Sequence, residues 1–155
     1  MKIDNQTPFQ LTPNGQYAYW GETNVGPQGV NAYTNDGNAG ELQASSVPWV
    51  GSAGISGYFI AGPSVWIILL GSDPDWSAED NRARVAISST SLNVDKDQYN
   101  RVFDGQTKVS LPTTKGVFTL TGSIGSNDSC TATYQLTFQR GGGVTPDILA
   151  SSSGW

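Results

Sequence analysis

The sequence predicts an all-β protein: an antiparallel β-sandwich of about seven to ten short strands joined by long loops. Three observations predict this class. Apolar and polar residues alternate in several short runs, as they do in strands that bury one face. Glycine, proline and Asn-Gly pairs separate these runs, and 19 of the 155 residues are glycine. No segment shows the apolar spacing of an amphipathic helix.

Alternation marks the individual strands. Residues 117–120 and 131–138 form the clearest pair, because every second side chain in the longer run is apolar. Residues 82–87 alternate in the same way. Residues 57–61 and 65–70 predict a hairpin around a Gly-Pro turn, and its second strand is apolar on both faces. Such a strand is expected in the middle of a sheet, covered on both sides.

Turn residues divide the first half of the chain. A turn is predicted at residues 13–15, Pro-Asn-Gly, because proline presets φ and Asn or Gly tolerates positive φ. Residues 21–56 are rich in Gly, Asn, Ser and Pro, which predicts long surface loops with one short strand near residues 30–33. Loops of that length in compact domains usually carry function.

Length and composition predict one domain. We expect a β-sandwich over residues 1–140 and a flexible or docking tail over residues 141–155, which begins with three glycines. The single cysteine, Cys130, excludes an intrachain disulfide framework. No apolar signal-peptide core follows Met1, and the longest apolar run is too short to span a bilayer. We therefore expect a protein that is cytoplasmic as made, or released by a route without a signal peptide.

Charge and missing residue types exclude several functions. Eight basic and 13 acidic residues give a net charge of -5, which disfavours binding to nucleic acid and to anionic lipid. The absence of histidine rules out Ser-His-Asp and Cys-His catalysis, and no glycine-rich phosphate-binding motif is present. Paired carboxylates could serve a glycosidase, but a sandwich of this size offers no deep cleft. We expect neither an enzyme nor a cofactor.

Aromatic and acidic residues of the predicted loops are the candidate binding residues. An aromatic ring beside a loop can stack on a sugar or lie among lipid headgroups. Carboxylates cluster over residues 73–80, directly after the most apolar strand. The predicted ligand-binding residues are Trp49, Trp76, Trp20, Tyr19, Asp73 and Asp75.

The same acidic cluster contains the only calcium ligands that we consider. Hard cations such as Ca²⁺ take several carboxylate and carbonyl oxygens. The spacing Asp-x-Asp-x-x-x-Glu-Asp lacks the glycine of an EF-hand loop, so we expect turn caps and solvated carboxylates rather than a metal site. The ligands of such a calcium site would be Asp73, Asp75, Glu79 and Asp80. We interpret the glycosylation-like Asn-x-Thr sequence at residues 5–7 as a chance match.

Two segments resemble the aegerolysin-like and actinoporin-like cytolysins. Ile-Asp-Asn-Gln-Thr at residues 3–7, followed by Leu11, looks like the short first strand of those proteins. The glycine-led strand of residues 54–60, the apolar run of residues 65–70 and Pro74 resemble their middle part. The match departs in the long loop region and in the tail.

The resemblance implies a β-sandwich that recognises membrane lipid headgroups through tryptophans and acidic residues in loops at one end. Such proteins are toxins that sometimes form pores with a partner, and they have no catalytic residues. Two alternatives remain open. A carbohydrate-binding, lectin-like module would use the same Trp, Asn and Asp residues. A structural or assembly subunit would bind further copies of this chain or another protein.

Overall fold

The structure, a computed structural model, describes residues 1–46, 51–74, 80–126 and 130–141. The elements within these residues are β1 (Lys2–Gln6), β2 (Thr12–Trp20), β3 (Glu22–Val25), β4 (Thr34–Asn38), β5 (Glu41–Gln43), β6 (Ser52–Ile60), β7 (Val65–Asp73), β8 (Arg82–Ser88), α1 (Lys96–Phe103), β9 (Lys108–Pro112), β10 (Gly116–Ser123) and β11 (Thr133–Arg140). The first sheet has the order β4-β1-β11-β10-β9 and the second β2-β6-β7-β8, while β3 and β5 form a ribbon. This confirms the all-β sandwich.

Pairing between the described strands is antiparallel with one exception. Strand β1 lies parallel to β11, with Lys2 opposite Thr133 and Gln6 opposite Thr137. The first sheet is therefore mixed, whereas the alternation of side chains predicts an antiparallel sandwich. Parallel neighbours are distant in sequence and are not joined by a hairpin turn, so the turn residues cannot predict their pairing.

The main core lies between the two sheets. Fully buried side chains from both inner faces meet there, among them Tyr58, Leu69 and Phe118. Tyr134 of β11 crosses the core and donates its hydroxyl to the carbonyl oxygen of Leu70 in β7. The alternation predicted for residues 131–138 is thus confirmed.

A helix covers the outer face of the second sheet, although the sequence predicts none. Strand β7 lies in the middle of that sheet, and its outward residues Ile68 and Leu70 are buried together with Tyr99 and Val102 of α1. Asp95 caps the helix by accepting a hydrogen bond from the backbone N–H of Gln98 at 2.9 Å. The helix has eight residues, too few for its apolar spacing to repeat. No helix of the described residues is long and apolar enough to cross a membrane.

The turn predicted after Pro13 is wrong, because β2 runs straight through it. Pro13 pairs with Tyr58 and Gln16 with Ser56, so one extra residue of β2 is accommodated as a bulge. Gly15 has a φ of +110°, a conformation that glycine adopts without a steric penalty. The Pro-Asn-Gly signal therefore marks a change of register rather than a reversal of the chain.

The long loop predicted over residues 21–56 is also wrong. This region contains β3, β4, β5 and the start of β6, while near residues 30–33 there is only a single bridge between Val30 and Leu11. Strand β4 reads Thr-Asn-Asp-Gly-Asn and is held by backbone pairing with β1. The predicted tail lies outside the described residues except for Gly141, so the domain boundary stays a prediction.

Candidate functional site

The hairpin of β6 and β7 defines the two ends of the sandwich. We call the end with its turn, residues 61–64, the basal end, and the end with the Ser52–Asp73 pair the apical end. The backbone N–H of Cys130 donates to Asp73 at 3.0 Å, so β11 starts at the apical end and finishes at the basal end. Strand β1 runs parallel to β11, and Gln6 therefore also lies at the basal end.

The predicted site residues belong to the apical end as far as they are described. Asp73 is half-buried and holds the Cys130 backbone, and Asp80 is exposed. Gly51 lies two residues from Trp49, and Pro74 lies two residues from Trp76. These two described residues flank the Ser52–Asp73 pair. Within the described part of the chain, no group of three His, Cys, Asp or Glu residues could hold a metal. Outside the described residues lie Trp49, Trp76, Asp75 and Glu79.

Two of the predicted aromatic residues hold the helix on the sheet. The ring of Tyr19 stacks on that of Tyr99, with centroids 4.4 Å apart and planes 7° apart. Trp20 packs at the edge of the apolar cluster beneath α1. Both side chains thus have a packing role, and their part in ligand binding stays a prediction.

A cavity of about 420 Å³ opens at the other, basal end. It collects side chains from four separate segments, and none of them is among the predicted ligand-binding residues. We call it the basal pocket, and its lining residues are Gln6, Pro8, Phe9, Tyr33, Lys115, Phe138 and Arg140.

Aromatic rings form the inner wall of the basal pocket. The ring of Phe9 meets that of Phe138 edge-on at 5.4 Å, and both lie against Phe118, at 5.7 and 4.7 Å. Phe118 is fully buried, whereas Phe9 and Phe138 are half-buried. The apolar core therefore continues outward into the pocket.

A glycine in β10 allows β11 and the Phe138 ring to come close to the β10 backbone. A Cβ atom on Gly116 would lie 2.8 Å from Cζ of Phe138 and 2.3 Å from the carbonyl oxygen of Gln139. Neither contact is sterically allowed, so only glycine fits at this position next to the ring.

A buried polar network fixes the other wall. Asn5 and Thr7 are both 0% exposed. The side-chain amide of Asn5 donates to the carbonyl oxygens of Phe9 and Asn31, at 2.7 and 2.9 Å, and its oxygen accepts from the Thr7 hydroxyl at 2.7 Å. The backbone N–H of Tyr33 donates to the Thr7 carbonyl at 3.2 Å. The Asn-x-Thr sequence therefore positions the segments of Phe9 and Tyr33, and its asparagine is inaccessible to a glycan.

Tyr33 stands at the rim of the pocket in an unusual conformation. The residue is 70% exposed, and its φ of +54° lies in the left-handed region, which is rare for a bulky residue. Strain of this kind costs about 1–3 kcal/mol and persists only where neighbouring contacts impose it. The network just described provides these contacts and holds an aromatic ring in solvent.

Two basic side chains complete the basal pocket. Lys115 lies in a turn that Thr113 closes. The backbone N–H and the hydroxyl of Thr113 both donate to the Gly116 carbonyl at 2.8 Å. The Lys115 carbonyl accepts from the N–H of Gly141 at 2.7 Å, and Arg140 lies opposite Gly116 in the β10–β11 register. The two cations therefore come from adjacent segments of the chain.

The two packed sheets place the chain in the class of all-β sandwich proteins. Within that class it is similar to the crystal structure of the lipid-binding protein Nakanori, with a TM-score of 0.66 and 16% sequence identity over 88% of this chain and 68% of that one. At this identity the likeness shows a common fold, the sandwich that the sequence resemblance implies. The sequence matches no model of a known protein family and no curated protein.

Proposed function

We propose that the protein is a non-catalytic binding protein that recognises membrane lipid headgroups. The observation that carries this proposal is the basal pocket, an aromatic-walled cavity open to solvent, in a fold shared with a lipid-binding protein. Aromatic side chains are favoured at the level of lipid headgroups, where one part of the ring contacts apolar matter and another contacts water. Tyr33, Phe9 and Phe138 would take this position.

A second pair of rings supports the basal end as the membrane-facing surface. Phe59 and Trp66 are half-buried on the outer face of the second sheet, with ring centroids 4.6 Å apart. They flank the turn of residues 61–64, Ala-Gly-Pro-Ser, which carries no charge. Their surface can therefore approach a bilayer without burying an ionised group.

Sedimentation with vesicles of varied sphingolipid and sterol content tests the proposal. We expect the wild type to sediment, Tyr33→Ala to lose most of its binding, and Tyr33→Phe to retain it because the ring remains. Loss of binding in Trp49→Ala and Trp76→Ala with full binding in Tyr33→Ala would move the site to the predicted apical loops. A wild type that sediments with no composition would contradict lipid binding itself.

The cytolysin-like part of the proposal is supported by the sequence resemblance alone. Its test is separate from binding: release of a dye from vesicles that the protein has been shown to bind. Release above the rate of untreated vesicles supports pore formation, and binding without release limits the function to lipid recognition.

An apical groove favours carbohydrate binding as the second candidate. It has a volume of about 520 Å³, and its lining includes Asn24, Asp36, Asn38 and Glu41. Amides and carboxylates of this kind form hydrogen bonds with sugar hydroxyls, although no aromatic ring lines the groove among the described residues. A glycan array without signal above background, with and without calcium, would remove this candidate.

A further inference from the structure

The basal end differs in charge from the chain as a whole. The chain has a net charge of -5. The only charged side chains at the basal end, within the described residues, are Lys115 and Arg140, and none of its segments contains Asp or Glu. The described segments that form this end are residues 6–12, 32–34, 59–66, 88–90, 111–117 and 138–141.

Neither basal cation is neutralised by a carboxylate within the part of the chain that the structure describes. The ion pairs there join Lys2 to Asp36 and Arg82 to Asp104, away from the basal end. Lys115 and Arg140 both line the basal pocket beside its aromatic wall. A cavity with two unneutralised cations and an apolar wall is complementary to a molecule that carries a negative group next to an apolar part.

We propose that Lys115 and Arg140 bind the phosphate of an anionic phospholipid headgroup, while Phe9, Tyr33 and Phe138 contact the adjoining apolar part. This inference rests on the proposed lipid-binding function and names the lipid class for its site. The guanidinium offers paired donors to two phosphate oxygens, and the ammonium adds a compact charge. The basal end has no described carboxylate for the ammonium of a zwitterionic headgroup, which favours a headgroup of net negative charge.

The acidic residues elsewhere oppose such binding only weakly. At physiological ionic strength, interactions between exposed charges decay over about 8 Å. The described carboxylates lie at the apical end, on the outer face of β1 and β4 and around α1. The expectation that a net charge of -5 disfavours anionic lipid assumes an even distribution of charge, which the basal end does not have.

Two vesicle preparations and two matched double variants test the inference on the full chain. We compare binding to vesicles of phosphatidylcholine alone and of phosphatidylcholine mixed with phosphatidylglycerol. The basal pair combines Lys115→Gln with Arg140→Gln. Each of its two substitutions should weaken binding to the mixed vesicles about fivefold, the usual contribution of one basic residue at an anionic membrane surface. The control pair, Arg101→Gln with Lys108→Gln, changes the net charge equally at exposed positions away from the pocket. Circular dichroism and thermal unfolding verify that all variants fold.

The outcomes are separable. Preference of the wild type for the mixed vesicles, lost in the basal pair and kept in the control pair, supports the inference. Equal binding to both vesicles that is unchanged by the basal pair overturns it and leaves the proposed function intact. Equal weakening by both pairs also overturns it, because nonspecific charge then explains binding. Binding of soluble glycerol phosphate without binding to either vesicle would identify a free phosphate ester as the ligand and overturn the inference. The sphingolipid and sterol vesicles described above then decide whether lipid recognition itself holds.

Discussion

The buried amide of Asn5 donates a hydrogen bond of 2.7 Å to the carbonyl oxygen of Phe9, four residues further along the chain. The same amide holds the carbonyl of Asn31 at 2.9 Å, and thereby joins the two segments that flank the basal pocket. The site is therefore supported from the interior of the sandwich, not only by its own surface residues.

Removal of this amide should destabilise the fold. Asn5→Ala removes a fully buried amide together with its bonds to the Phe9 and Asn31 carbonyls, and it takes away the acceptor of the buried Thr7 hydroxyl. We expect the free energy of unfolding to fall by about 3 kcal/mol. Urea denaturation measures this change. Asn14→Ala is the control, since its amide donates at 3.3 Å from an exposed position, and it should cost less than about 0.5 kcal/mol. Equal effects of the two substitutions would contradict a special role for Asn5.

Glycine at position 116 should be required for the aromatic wall. In Gly116→Ala the added methyl group displaces Phe138 or the backbone of β11, and we expect a loss of about 1–3 kcal/mol in the free energy of unfolding. Gly26→Ala is the control, because a Cβ there meets nothing within 4 Å. Unchanged stability of the Gly116 variant would show that the strands separate without cost.

Two buried tyrosines should make the protein sensitive to alkali. Burial raises the pKa of Tyr134 and of Tyr58 well above the ordinary value of 10.0. Each hydroxyl also donates to a carbonyl oxygen, that of Leu70 for Tyr134 and those of Gln28 and Asn38 for Tyr58. The folded state disfavours the phenolate, whereas the unfolded chain ionises its tyrosines near pH 10. The stability that the two protonated hydroxyls contribute is therefore fully present below pH 10 and is lost as the pH rises above it.

Urea midpoints measured at increasing alkaline pH test this dependence. The wild type should lose stability steeply above pH 10, and Tyr134→Phe should lose less over the same range. At neutral pH the urea midpoint of this variant should be lower than that of the wild type, because it lacks the hydrogen bond to Leu70. A wild-type midpoint that does not change with pH there would contradict the prediction.

Shortening the chain should leave the sandwich intact. Three glycines at residues 141–143 predict a flexible joint before the tail, and the N–H of Gly141 bonds to the Lys115 carbonyl within the domain. A chain that ends at residue 141 should therefore unfold at the same urea concentration as the full chain. A clearly lower midpoint would show that the predicted tail packs on the domain.

The parts of the fold that could be predicted are those in which burial dictates the side-chain pattern. Strand β7 is apolar on both faces because each face enters one of the two apolar clusters. Strands β10 and β11 alternate because only one face of each enters the main core. Strand β4 could not be predicted, since its polar residues are held by backbone pairing to β1, which leaves no trace in the side chains. The helix escapes detection because two turns are too short for a period.

The basal pocket could not be predicted for a different reason. Phe9, Tyr33, Lys115 and Arg140 come from separate strand ends and turns, each of ordinary composition. The pairing of β1 with β11 and β4, and of β11 with β10, brings them together. One available signal was the Asn-x-Thr sequence at residues 5–7. It belongs to the segment that resembles the cytolysins, and its structural role is the network beneath the pocket.

The orientation of the bound protein tests the central claim most directly. In a Cys130→Ser background, an environment-sensitive dye is attached through Ala61→Cys in the exposed turn at the basal end or through Glu22→Cys beside Trp20 at the apical end. With vesicles that the unlabelled wild type binds, we predict a blue shift of the dye emission at position 61 and none at position 22. A shift at position 22 alone would contradict binding through the basal end.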